Sequence, residues 1–279
     1  MARRKPMWRW GGALLGAIFA AMLLLARAFE IPLPFDLLGK TSGTVELAPG
    51  GLVRVVEAVD GDTIKLAGGA RVRYVGVDTP ERKDPFFAAA KRENERLTTG
   101  KDVRIETCPK RGKDDYGRAL GTPFDGARDL ALELVRQGLG RVFVDRACMS
   151  PDVLAGYWSA AVEAFGARRG IWKLAPDVAI PAEDAPDLNG YQGYLCGTVR
   201  TVERKSGVVH VSLGAKSELK IEIASGAMNK LAGGAPGDAF VGRSVAVFGR
   251  VENPKAPTIV VDGAAQWKPV EDCRAALRP

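Results

Sequence analysis

Between Leu52 and Val77 the chain alternates short β-rich runs with glycine-containing turns, and that spacing leaves few folds open to it. Residues 52–59, 63–66 and 71–77 are rich in β-branched and aromatic side chains, and Ala67-Gly68-Gly69-Ala70 reads as a hairpin turn. Runs so short and so closely joined fold back antiparallel, because a parallel return needs a crossover of a dozen residues or more. The segment is therefore a β-meander. Helical patterns are expected at about 85–98 and 127–138. Another is expected where Leu154, Tyr157, Trp158, Ala161 and Phe165 recur at spacings of three and four, ending by Gly170-Ile171-Trp172. With strands at about 103–107 and 119–122, residues 52–174 read as a small closed sheet carrying helices.

The rest of the 279 residues divides by composition. The basic start of the chain is followed by sixteen residues without charge, Gly11 to Ala26, and then by Ala26-Arg27-Ala28. Residues 1–28 are read as a signal peptide with a small-x-small cleavage site or as an uncleaved membrane anchor, and both stand. Either route places the folded part outside the cytoplasm, where an even count of four cysteines is compatible with two disulfides. Residues 29–51 read as a stalk, and 175–189, with Pro176, Pro181 and Pro186, as a linker. A second unit, 190–270, has strand candidates at 194–202, 208–213, 219–223, 244–251 and 258–261. Five short strands of this kind suit a small Greek-key barrel of the OB type. The formal charge of +7 lies in 1–50 and 51–174, residues 175–279 taken together being neutral, so only the middle segment is read as having an excess that can serve a polyanion.

Three short pieces carry the chemistry: Val59-Asp60-Gly61-Asp62-Thr63-Ile64, Arg73-Tyr74-Val75-Gly76-Val77-Asp78-Thr79-Pro80-Glu81 and Asp114-Asp115-Tyr116-Gly117-Arg118. Taken singly, each has a plain structural reading as a turn, a helix start or an exposed loop. Together they supply what hydrolysis of a phosphodiester by one metal ion needs. Asp62 and Asp78 are hard oxygen ligands suited to calcium, with a backbone carbonyl to complete the set. The one histidine, His210, lies far off in the second unit, so no zinc or iron site competes. Glu81 can orient or deprotonate a water, and Arg73 and Arg118 can bind phosphate oxygens and the charge that builds on them.

On these three motifs, in this order, residues 52–172 resemble the staphylococcal nuclease (thermonuclease) family. Leu134-Val135-Arg136-Gln137-Gly138-Leu139 and Gly170-Ile171-Trp172 look like its helix and closing elements. The resemblance implies a mainly β fold, a five-stranded OB barrel with three helices, and calcium held by Asp62, Asp78 and the carbonyl of Thr79. It implies Glu81 as general base, Arg73 and Arg118 as catalytic phosphate binders, and Tyr116 as a nucleotide contact. The substrates implied are DNA and RNA, preferably single-stranded, cut by water attack on phosphorus to leave 3′-phosphorylated products, and the protein is expected to be a monomer. None of these positions is substituted. The segment after Glu81 is shorter than in the type enzyme, and the tyrosines after its second helix are replaced in Arg141-Val142-Phe143-Val144-Asp145. In the family's barrel the loops carrying Cys108 and Cys148 lie side by side, which implies a bridge between them and leaves Cys196 and Cys273 to pair. Two rival readings are a non-catalytic binding protein built on the same barrel, and an envelope protein whose second barrel binds protein or carbohydrate.

Overall fold

The computed structural model describes residues 50–224, 227, 228, 231 and 237–274. The expected targeting segment, 1–28, and all but the end of the expected stalk, 29–51, lie outside the described residues. Among those described, no helix is long and apolar enough to cross a membrane. In chain order the strands and helices are β1 (Leu52–Ala58), β2 (Thr63–Leu66), β3 (Arg71–Tyr74), β4 (Gly76–Asp78), α1 (Phe87–Thr98), β5 (Asp102–Thr107), β6 (Ala119–Asp125), β7 (Arg128–Asp129), α2 (Leu130–Arg136), β8 (Arg141–Phe143) and α3 (Pro151–Gly166). They continue with β9 (Ile180–Pro181), β10 (Gln192–Lys205), β11 (Val208–Leu213), β12 (Leu219–Ala224), β13 (Ser244–Arg250), β14 (Thr258–Val261) and β15 (Trp267–Val270).

The meander forms as its spacing predicts. β1, β2 and β3 pair antiparallel in turn, β5 returns to pair with β1, and β6 pairs antiparallel with β5 and parallel with β3, closing a five-stranded barrel. Val55, Ile64, Leu66, Val72, Val103 and Ile105 fill it. α1 lies against the barrel through Ala90 and Leu97. α2 begins later than its periodicity suggests, because Arg128–Asp129 still pairs with β6, and Asp129 then caps the helix by accepting from the Leu132 N–H at 2.9 Å. The helix ends at a close approach of two backbones. The Ile171 N–H donates to the Gly138 carbonyl, and a Cβ on Gly138, at φ 67°, would meet the Arg169 carbonyl oxygen at 2.3 Å.

The second sheet repeats the strand order of the first: β10, β11 and β12 form a meander, β13 returns to β10, and β14 runs parallel to β12. β13 pairs on its free edge with β15, and the bridge between Glu252 and Thr258 that follows it ties it to β14. Residues 175–189 contain β9, which pairs with β10, and the buried Ala182 and Ala185.

The two sheets share hydrophobic surface. Every residue from Gln192 to Gly197 is buried because β10 is covered on both faces. Leu195 and Val199 point into their own barrel with Val245 and Val247 of β13, while Tyr194, Cys196, Ala246 and Phe248 pack against the first unit. Phe248 sits among Phe165, Trp172, Tyr194 and Trp158 at ring-centroid distances of 5.1–6.2 Å, mostly edge to face. Polar ties flank this contact. The buried Gln192 amide bonds both the N–H and the carbonyl of Val142, and the buried Asp262 carboxylate takes Arg146 and the Trp158 indole N–H. Disulfides join Cys108 to Cys148 and Cys196 to Cys273.

Asp262→Ala leaves the Trp158 N–H buried without an acceptor and Arg146 without its carboxylate. It is expected to cost about 2–4 kcal/mol in urea unfolding, and Asp262→Asn, which keeps an acceptor, less than half of that. Equal losses for the two variants would show that the contact is mere space filling.

Candidate active site

Gly61 and Asp62, between Asp60 and Thr63, make the turn that leads from β1 into β2. The Asp60 carboxylate accepts the Asp62 N–H, and the Asp60 carbonyl accepts from the buried Asn94 side chain of α1 at 2.8 Å. Asn94 in turn receives the Tyr74 hydroxyl, so helix, turn and β3 are locked together. A Cβ on Gly61 would lie 2.5 Å from the Thr79 hydroxyl and 2.9 Å from Ala90. Glycine is required there by close approach, where the sequence suggested only turn dihedrals.

This turn carries Asp62 under Thr79. The Asp62 Oδ2 accepts both the Thr79 N–H and its hydroxyl at 2.8 Å, and Oδ1 faces the Arg73 Nε at 3.2 Å. The Arg73 guanidinium also donates to the carbonyls of Tyr74 and Val77 and pairs with Asp78 at 3.1 Å. Arg73 thus joins both carboxylates to the bend between β3 and β4. Burial pushes the Asp62 carboxyl up to about 6, against the opposing pull of Arg73 and the Thr79 hydrogen bond, and the neighbouring Asp60 charge adds to the rise.

Arg118 arrives from the third motif. Asp114 accepts its backbone N–H at 2.9 Å and its Nε at 2.7 Å, which aims the rest of the guanidinium toward Thr63. Burial works against the Asp114 charge, yet the Arg118 contacts hold its carboxyl below the usual range. Asp62, Arg73, Asp78, Thr79, Glu81 and Arg118 line one cavity of about 210 Å³, together with Asp60 and Pro80. Tyr116 does not line it. It stands at the rim, 86% exposed, with its ring 5.4 Å from the Arg118 guanidinium carbon. Two positioning residues, Asp114 and Asn94, have no role in the sequence reading, although Asp114 stands in the third motif. Asp114 was recognisable by its spacing of four from Arg118, whereas Asn94 lies in an ordinary helical stretch and gives no local signal.

The donor set is all oxygen. Among the described residues no group of three or more His, Cys, Asp or Glu side chains could hold a metal by themselves. Two carboxylates with a main-chain carbonyl, completed by water or substrate oxygens, fit a hard divalent cation that tolerates irregular coordination. A carboxylate buried beside another and neutralised by one shared arginine is the electrostatic complement of such an ion.

Comparison with known proteins points the same way. Residues 71–174 match the family described as "Staphylococcal nuclease homologue", a range that begins after Asp62. The chain is 35% identical over 100 residues to Endonuclease YncB of Bacillus subtilis, covering 32% of this chain and 47% of that protein. It is 35% identical over 96 residues to the Thermonuclease of Staphylococcus intermedius, covering 31% and 56%. An uncharacterized endonuclease of Haemophilus influenzae is 33% identical over 90 residues, covering 31% and 49%. The chain thus spans about half the length of these relatives.

The raised Asp62 carboxyl makes a pH prediction for cation-free protein. Between about pH 4 and 6 the folded state holds a proton that the unfolded state has released, so stability falls as pH rises through this window, by roughly 3 kcal/mol at most. Asp62→Asn is expected to remove this slope in chelator-treated protein. An unchanged slope would place the titration elsewhere.

Proposed function

We propose that this chain, which carries a domain of the staphylococcal nuclease family in residues 71–174, is an exported, calcium-dependent endonuclease. It hydrolyses phosphodiester bonds of DNA and RNA, preferring single strands, and acts as a monomer. The observation that carries the reading is the convergence of three separated motifs on one polar cavity, with carboxylates, a candidate base and two guanidiniums inside it. The relatives' names, endonuclease and thermonuclease, support the reaction class.

Asp62, Asp78 and the Thr79 carbonyl are the groups that would hold the cation, and calcium there would supply Lewis acidity to the phosphoryl group. Glu81 is exposed and has no ion-pair partner among the described residues, which leaves its carboxylate available to take a proton from the attacking water. Water oxygen bonds to phosphorus, the bond from phosphorus to the 5′-oxygen breaks, and the phosphate stays on the 3′ side. Arg118, oriented by Asp114, presents its remaining N–H groups to the phosphate oxygens, and Arg73 places a second fixed positive charge beside them. Tyr116 at the rim is the nucleotide contact. Export is supported by the two disulfides, which use all four cysteines and suit an oxidising compartment. The segment 1–28 is the signal peptide or membrane tether of this reading.

Calcium is expected to restore cleavage of single-stranded DNA removed by a chelator, and magnesium to do so poorly, since it demands a tighter octahedron. Undiminished cleavage in excess chelator would sink the metal assignment. Glu81→Gln is expected to slow cleavage by roughly two to four orders of magnitude while nucleotide binding survives. Arg118→Lys keeps the charge but loses the fork, and is expected to be severely impaired as well.

A further inference from the structure

A second and larger cleft, about 540 Å³, opens beside the active-site cavity and shares Asp78 and Pro80 with it. One wall belongs to the first unit, with Arg141 of β8. The opposite wall belongs to the second sheet, with Tyr191 just before β10 and Arg250 at the end of β13. The Gln192 amide that bonds Val142 fixes these walls against each other.

The charge in the cleft is uneven. Its two acids are already engaged, Asp78 with Arg73 and Asp84 with the Glu81 N–H. Its two arginines are not: among the described residues neither the Arg141 nor the Arg250 side chain has a carboxylate or hydrogen-bond partner. Both guanidiniums line the cleft with their N–H forks free to take a phosphate oxygen pair. Tyr191 lies with them. Its ring is half-buried and lines the same cleft as both guanidiniums.

Unmatched guanidiniums beside a half-buried aromatic ring, in a groove of this size continuous with a phosphodiester site, are the elements by which proteins track single strands. We propose that this cleft is a second substrate subsite, which holds the nucleic-acid chain beyond the scissile phosphate. Arg141 and Arg250 contact successive phosphates, and Tyr191 stacks on a base. The second barrel thereby contributes to substrate affinity. This inference rests on the nuclease reading above.

The test uses the full chain carrying Glu81→Gln, so that binding is read without cleavage. The probes are a fluorescein-labelled oligothymidylate of about 20 nucleotides and the corresponding dinucleotide, each titrated at several salt concentrations. Arg250→Gln is expected to weaken binding of the long probe by about fivefold and to flatten its log-log salt slope by roughly 0.7, the share of one phosphate contact on a single strand. Arg141→Gln added to it is expected to double the change in slope. Tyr191→Leu is expected to weaken the long probe without altering the slope, since stacking releases no counterion. Dinucleotide binding stays within about twofold throughout. In protein with Glu81 intact, the same arginine changes raise KM for the long substrate and leave kcat unchanged. Long-probe affinity and slope that do not move in the double variant overturn the subsite, and so does an equal loss for the dinucleotide. If the protein with Glu81 intact cleaves the oligonucleotide normally while the arginines prove silent, only the subsite fails. If it neither binds nor cleaves nucleic acid, the nuclease reading fails and the subsite with it.

Discussion

One guanidinium holds the candidate site in place. Arg73 reaches the carbonyls of Tyr74 and Val77, on either side of the bend that follows its own strand, and two carboxylates, Asp78 at the end of β4 and Asp62 on the β1–β2 turn. Remove it, and Asp62 and Asp78 face each other with no positive charge between them in a place where burial already favours protonation of Asp62. The backbone constraints are subordinate to this cluster. Gly61 lets the turn approach Thr79, Asn94 fixes the Asp60 carbonyl, and Gly76, at φ 85°, lets the chain bend so that Asp78 returns toward Asp62. Electrostatics that would be costly in an empty site become favourable where a cation is to be received.

The barrel below supplies rigidity to this cluster. Asp62 leads into β2, Arg73 sits in β3, and Arg118 directly precedes β6, three strands that pair side by side. Closing the barrel therefore brings the three motifs to one end without any loop having to find its own place, which is the general advantage of building a site on strand ends. The Cys108–Cys148 bridge fixes the end of β5 to the segment after β8. Its 40-residue span is worth about 4 kcal/mol in the chain-entropy account, a large share of a domain's stability.

The second sheet is docked by burying both faces of β10 and β13, so it is not a loosely tethered module. A strand pair whose alternate residues serve two cores loses the polar and apolar alternation by which a half-exposed strand is recognised. The segment 175–189 likewise resembles a linker in its prolines, yet it pairs β9 with β10 and buries three alanines. Composition reports the prolines, and contact across the sheet decides where they lie.

What the sequence determined by itself was local or carried by spacing. The meander followed from strand lengths and glycine turns, α3 from its repeat of apolar residues, and the candidate acids and arginines from three short motifs. Each is a property of a few consecutive residues, so it can be read without knowing what they touch. The tertiary structure alone decided that Asn94 holds the turn, that Tyr116 stands outside the cavity, that Asp262 ties the two units, and that Arg141, Tyr191 and Arg250 face one cleft. These depend on residues 34 to 116 positions apart meeting in space. Such meetings follow from barrel closure and shared burial, which act on the whole chain at once and leave no pattern in any one stretch of it.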